Sequence, residues 1–314
     1  MDKIPIGISA CLLGEEVRHN GGHKRDAYIT GTLAQYFSFL SFCPEVGIGL
    51  GTPRPAIRLI SSDRGIRAVG SKDSSLDVTE QLGTFSQAAF DKIAGLSGFI
   101  LKRASPSCGM ERVKVYNEKN MPDPVGSGIF AAEVMGRFPL LPIEEEGRLG
   151  DPNLRENFIK RVFIYHRWRT EYLETLTVQK LTEFHAQHKL IFMSHDQNQS
   201  RALGKIAALA NKDNLASVAE EYISLAMKTL KVIATRKNHV NVLQHIQGYL
   251  KKQLDGDDKQ ELVEVISRYH RGELPLIVPL TLLLHHFRKS PNEYIQQSWY
   301  INPYPEELKL RNLV

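Results

Sequence analysis

Only three cysteines occur in 314 residues, at positions 11, 43 and 108. So few, and an odd number, make no disulfide framework, and the expected compartment is a reducing cytoplasm. No Cys-x-x-Cys pair is present, which removes the commonest zinc signature. Long apolar runs are missing too. The longest, Leu274–Leu284, is broken by Pro275 and Pro279 and falls short of the roughly 18 residues of a membrane span. The opening MDKIPIGISACLLG has no adequate apolar stretch for a signal peptide. No repeat of fixed period is found. With 42% hydrophobic and 24% charged residues, fibrous, collagenous and disordered classes are excluded. Charge is also scarce as a net quantity, at +5, but it is unevenly placed. Residues 1–150 hold 17 basic and 17 acidic side chains, whereas 151–314 hold 23 and 18, with nine of the eleven histidines. The length predicts two domains. The asymmetry predicts a neutral half that carries chemistry and a basic half that offers a partner surface.

Strand-like and helix-like segments alternate in the first half. Ile4–Ser9, Gly98–Leu101 and Val113–Tyr116 read as strands, and Leu40–Phe42 leads into Cys43. Thr32–Phe39, a segment from Asp77 to Leu96, and Gly128–Met135 read as helices. This predicts an α/β domain over 1–150 with a mainly parallel, Rossmann-like sheet. Glu144–Gly150 has the acidic, glycine-bearing character of a linker. Asp151-Pro152 then supplies an N-cap with proline at the first helical position. From there to 314 the apolar residues recur at helical spacing, over Val178–Met193, Arg201–Ala210, Leu215–Ala234, Val240–Leu254, Lys259–His270 and Leu280–Arg288. The second half is therefore expected to be an all-α domain.

Each cysteine lies just beyond an apolar segment, beside glycine or proline. In an open α/β sheet such strand ends line the ligand crevice, so three thiolates far apart in sequence can meet. Converging thiolates point to a metal centre. Zinc with an open position and an iron–sulfur cluster with one open iron both remain possible from spacing alone.

The segments CLLGEEVRHNGGHKRD from Cys11, CPEVGIGLGTPRP from Cys43 and LKRASPSCG ending at Gly109 resemble the three signature blocks of the thiouracil desulfidase family. That resemblance covers about residues 4–145. It implies a 4Fe–4S cluster ligated by Cys11, Cys43 and Cys108, and a thiolated pyrimidine as substrate. The helical remainder resembles the YbgA-type domain, and the pair is similar to the tRNA desulfidases that convert 4-thiouridine to uridine. One block departs from the family. Its usual Arg-Tyr/Phe-Asp-Gly-Gly is here Arg18-His19-Asn20-Gly21-Gly22, which exchanges a carboxylate for an amide.

The chemistry follows from residue types. A soft thiocarbonyl sulfur suits iron held by thiolates, and a Lewis acid there activates the carbon towards water. Glu45 is the expected general base, and burial should lift such a group towards neutrality. Ser105 and Ser107 are expected to touch the pyrimidine or relay a proton to it, and the family resemblance implies the catalytic role for Ser105. Arg18, Asn20, Lys24, Arg54 and Lys102 are candidate substrate-binding groups. Two other readings remain: a desulfidase of free thiopyrimidine bases, and a non-enzymatic iron–sulfur RNA-binding regulator.

For RNA, the signal is cations interleaved with rings at Arg161, Tyr165, His166, Arg167, Trp168 and Arg169. Arg161, Arg167 and Arg169 are the candidate tRNA contacts. The rival reading buries Tyr165 and Trp168 in the helical core. Lys228, Lys231, Arg236, Lys237, Lys251 and Lys252 would extend the surface. Gly47-Ile-Gly-Leu-Gly51 is not G-x-G-x-x-G and is followed by Thr-Pro-Arg-Pro, so it is no dinucleotide loop. His185, His188, His195 and the pair His285-His286 have no carboxylate framework and read as structural.

Overall fold

A computed structural model describes residues 2–312. The chain divides into two units, residues 1–150 and 151–314.

The first unit is built on two four-stranded sheets. β1 (Ile4–Ser9), β2 (Phe37–Phe42), β5 (Phe99–Leu101) and β8 (Ile143–Glu145) form an all-parallel sheet in the order β2-β1-β5-β8. β3 (Ile57–Ser62), β4 (Gly65–Gly70), β6 (Val113–Tyr116) and β7 (Pro122–Gly126) form the second, in the order β4-β3-β6-β7. Here two antiparallel hairpins join through the parallel pair β3 and β6. Three helices complete the unit: the short α1 (Pro44–Gly47), α2 (Thr79–Ala94) and α3 (Ile129–Arg137). Phe42 of β2, Phe99 of β5, Phe85 of α2 and Phe130 of α3 pack ring to ring with centroids 5.3–6.0 Å apart. Such pairs add about 0.5–1.5 kcal/mol each beyond area burial. This aromatic core fixes β2 and β5 against the helices.

Among the described residues the second unit has helices and no strand: α4 (Pro152–Arg167), α5 (Val178–His195), α6 (Gln197–Ala208), α7 (Leu215–Lys231), α8 (Arg236–Gly248), α9 (Gly256–Arg271), α10 (Ile277–Lys289) and α11 (Glu293–Gln297). Helix starts follow the capping chemistry. Asp151 accepts from the amides of Asn153 and Leu154, and Thr177, Asp196, Thr235 and Asp255 cap α5, α6, α8 and α9. The α/β half and the all-α half are as the patterning predicts.

Local readings failed in three places. The expected helix over Thr32–Phe39 ends at Gln35, as a π turn and a 3-10 turn, and Phe37 already begins β2. Parallel pairing along the whole of β1 overrides local propensity there. The second sheet was foreseen only at β6. The expected linker at Glu144–Gly150 instead contains β8, whose Glu144 and Glu145 are 3% and 2% exposed. Polar composition suggested solvent, but these carboxylates are buried because each has a partner. Among the described residues, no helix is long and apolar enough to cross a membrane.

Candidate active site

Cys11 lies in the 3-10 turn after β1, Cys43 directly after β2 as the N-cap of α1, and Cys108 in the loop after β5. β2, β1 and β5 are adjacent and parallel, so the three segments leave the same edge of the sheet. All three thiols are free, and all three line one cavity of about 230 Å³. Burial pushes the Cys11 thiol up to about 11, with Lys102 pulling the other way. Burial likewise raises Cys43, against amide hydrogen bonds from the start of α1 and the charge of Arg54. It raises Cys108 to about 12, against hydrogen bonds from Ser9 and Ser107.

Glu45 stands in the first turn of α1, two residues after Cys43, and lines the same cavity. Arg54 donates to its Oε2 through Nε at 2.8 Å and Nη2 at 2.7 Å. The Arg54 side chain is only 3% exposed, and its Nη1 donates to the Gly51 carbonyl at 3.0 Å. Ser107 Oγ donates to Glu45 Oε1 at 2.7 Å and lies 3.0 Å from Ser105 Oγ. Ser105 Oγ also accepts the backbone N–H groups of Cys108 at 3.0 Å and Ser107 at 3.3 Å. A continuous polar chain therefore runs Arg54–Glu45–Ser107–Ser105. Glu45 is both a helix first-turn charge and the carboxylate of this cavity.

The loop carrying Cys108 is held from two sides. The carbonyls of Pro106 and Ser107 accept the amides of Ile129 and Ala131 at the start of α3. Gly128 sits so close that a Cβ there would lie 2.4 Å from the Ser107 carbonyl carbon. On the other side are the three acids of the misread linker. Glu145 Oε1 accepts from the Met110 amide at 2.8 Å, and Glu146 binds Lys102 Nζ and, at 2.7 Å, the Arg103 amide. Glu144 pairs with Arg148 at 2.6 Å. Ser9 Oγ accepts the Lys102 amide at 2.9 Å, which ties the end of β1 to the end of β5.

Of the expected substrate-binding residues, Arg18, Arg54, Lys102 and Ser107 line the cavity. Lys102 and Arg18 act electrostatically on Cys11. Asn20 and Lys24 do not line it. Asn20 is exposed and its Oδ1 accepts the Gly22 amide at 3.2 Å, shaping the turn in which Gly21 has φ +77°. The amide thus does a turn's work, and no acid is needed at that position. Lys24 is exposed, and its backbone amide donates to the Cys11 carbonyl. Arg54, expected as a substrate ligand, is paired with Glu45. Sequence reading missed Ser9 and His19, which also line the cavity, and the carboxylates Glu145 and Glu146. Only the acidic run itself could have signalled the last two.

The proposed RNA arginines are corrected by burial. Arg161 and Arg167 are 6% and 5% exposed. Arg161 donates to Asn157 at 2.9 Å. Arg167 is bonded to the Pro303 carbonyl, lies 3.0 Å from His188 Nε2, and stacks 3.8 Å over Trp299. Neither guanidinium is presented to a phosphate. Trp168 packs in the core against Phe184 and Tyr222. Arg169 is half-buried and lies over the Tyr165 ring at 5.7 Å.

Among the described residues, no three His, Cys, Asp or Glu side chains form a group that could hold a metal ion as placed. A larger centre fits the donor set better. Thiolates on one ion each reach only about 2.3 Å. Three free thiols around one cavity of about 230 Å³, with Arg18, Lys102 and Arg54 offsetting their charge, suit a polynuclear thiolate-bound cluster.

Residues 6–146 match the family of 2-thiouracil desulfurase, and residues 189–305 match the family described as a protein of unknown function, DUF1722. The Bacillus subtilis (strain 168) protein YbbK is 33% identical over 135 residues, covering 40% of this chain and 87% of YbbK. The Escherichia coli (strain K12) protein YbgA is 31% identical over 153 residues, covering 48% of this chain and 90% of YbgA. A solved structure of the 4Fe–4S-dependent thiouracil desulfidase TudS is 30% identical, covers 47% of this chain and 94% of its own, and has a TM-score of 0.38. On the two family matches and the likeness to YbbK and YbgA, the chain belongs to the 2-thiouracil desulfurase family through its first half and joins to it a YbgA-like helical half.

Proposed function

We propose that the chain hydrolyses the C–S bond of a thiocarbonyl pyrimidine, with a 4Fe–4S cluster held by Cys11, Cys43 and Cys108. The observation that carries this reading is a single cavity lined by three free thiols on adjacent strand ends and by the Glu45–Ser107–Ser105 chain. When bound, the cluster supplies a Lewis-acidic iron suited to a soft sulfur atom. Glu45, held in place by Arg54, takes the proton from the attacking water. Oε2 already accepts two Arg54 N–H groups, and Oε1 keeps one lone pair beyond the one that Ser107 occupies. Ser107 carries a proton between Glu45 and Ser105, and Ser105 donates to the ring. Thiocarbonyl and water become carbonyl and hydrogen sulfide. No electron is exchanged and no reductant is needed.

We further propose that the pyrimidine is 4-thiouridine within tRNA. The support is the charge distribution, since residues 151–314 carry the whole excess of basic over acidic side chains. With Arg161 and Arg167 buried, phosphate contacts fall to exposed cations such as Lys228, Lys237, Lys251 and Lys252. The test is anaerobic reconstitution followed by sulfide release and nucleoside mass spectrometry on bulk tRNA, 4-thiouridine and 2-thiouracil. Loss of 4-thiouridine from tRNA is the expected result. Turnover of the free base alone selects the free-base desulfidase, and absence of sulfide release from all three makes the protein a non-enzymatic cluster carrier.

A further inference from the structure

The helical unit contains a cavity of about 290 Å³ that the desulfidase reading does not use. It lies where the first turns of α4 and α8 converge. Asn153 and Glu156 line it from α4, and Arg236 and His239 from α8. Asp151 and Thr235 already accept the first amides of these two helices, so what the cavity presents to a ligand is side chains. The second observation is His239. This ring is 6% exposed, and its Nδ1 lies 2.8 Å from the Tyr300 hydroxyl. That is its only hydrogen bond among the described residues, so Nε2 is without a protein partner while the residue lines the cavity. With the phenol donating to Nδ1, the hydrogen sits on Nε2, which then offers a donor. Burial holds the ring neutral, and its charged neighbours, Lys160 and Arg311, act in the same direction.

Arg236 is exposed and has no carboxylate partner among the described residues. Its guanidinium lies 5.4 Å over the Tyr269 ring and 3.4 Å from the Tyr269 carbonyl. Glu156, the one acid in the lining, is already engaged by Lys160 Nζ at 3.0 Å and the Tyr304 hydroxyl at 2.9 Å. The lining therefore offers a cation, an imidazole N–H and the Asn153 side-chain carboxamide, and its one carboxylate is already paired. Such an arrangement matches the oxygens of a phosphate. Ile233 and Ala234 give it an apolar wall, and the volume exceeds that of one phosphate group.

We infer that the helical unit binds a phosphate monoester between the N-terminal turns of α4 and α8, at a site distinct from the cysteine cavity. The inference stands apart from the desulfidase reading, because it needs no cluster and no turnover.

The test uses the full chain at constant ionic strength, with phosphorus NMR and calorimetry. The probes are uridine 5′-monophosphate, uridine and inorganic phosphate. The expected result is saturable binding of the monophosphate with Kd of about 0.1–1 mM, and none of uridine. Arg236→Gln, at an exposed position, should weaken binding at least about tenfold without lowering Tm. His239→Asn should weaken it too, and circular dichroism checks that this variant folds. A 5′-phosphorylated oligonucleotide, against the same strand without phosphate, tells whether a free ester or an RNA end is preferred. No saturation by 10 mM, about ten times the weakest expected Kd, equal binding of uridine, or full affinity in Arg236→Gln would overturn the inference.

Discussion

Arg54 and Glu45 form a nearly buried ion pair in which two guanidinium nitrogens reach one carboxylate oxygen, at 2.8 and 2.7 Å. The pair leaves Glu45 Oε1 to Ser107. It sets the direction of the carboxylate beside the three thiols, and the first prediction concerns it. Glu45→Gln should keep the cluster and lower turnover by about 10²-fold or more, the usual cost of losing a general base. Arg54→Gln should lower kcat by about tenfold or more with KM little changed, as expected for a group that orients the base. A large rise in KM with kcat intact would instead make Arg54 a substrate ligand. Iron and sulfide analysis must show equal cluster content in both variants.

Gly128→Ala probes the seat of the Cys108 loop. The added methyl would meet the Ser107 peptide at 2.4–2.5 Å and the Cys108 nitrogen at 2.8 Å. Overpacking of this kind costs about 1–3 kcal/mol. The loop should shift, lowering Tm and iron content together. Normal iron loading in this variant would show that the close approach of α3 does not position Cys108.

Arg167→Ala should destabilise the protein by about 1–3 kcal/mol, because it leaves the buried Pro303 carbonyl and His188 Nε2 without their partner. Urea denaturation measures this. An unchanged midpoint, with weaker RNA binding, would return Arg167 to the role of a phosphate contact.

The helical unit should be labile to mild acid. Burial, with Lys189 adding to it, holds His185 down to about 4, and burial holds His188, His195 and His239 well below the usual value. Unfolded histidine binds its proton near 6.5. The unfolded state therefore takes up more protons as the pH falls from about 6.5 towards 4, and stability falls with it. Melting followed by circular dichroism should drop by about 5 °C or more between pH 7 and 5, above the range in which most carboxylates titrate. A flat Tm across that window would mean that these rings are charged in the fold.

That Cys11, Cys43, Cys108, Glu45, Ser105 and Ser107 would share one cavity was legible in the chain, because each block follows an apolar segment that becomes, or leads out of, a strand of one parallel sheet. Helical halves and caps were legible too. Asp151, Thr177 and Asp255 meet backbone groups only two or three residues away, so the signal is local. What the residues did next was decided at a distance. Arg54 clamps a residue nine positions earlier, Glu146 reaches back to Lys102, and Glu144 and Glu145 enter a strand because β5 and the 108–111 loop supply partners. Arg161 and Arg167 have the composition of an RNA-binding face, yet they are buried where Asn157, Pro303, His188 and Trp299 satisfy them. Whether a charge faces solvent or a partner depends on the desolvation each neighbour offsets, and those neighbours are chosen only when the chain closes on itself.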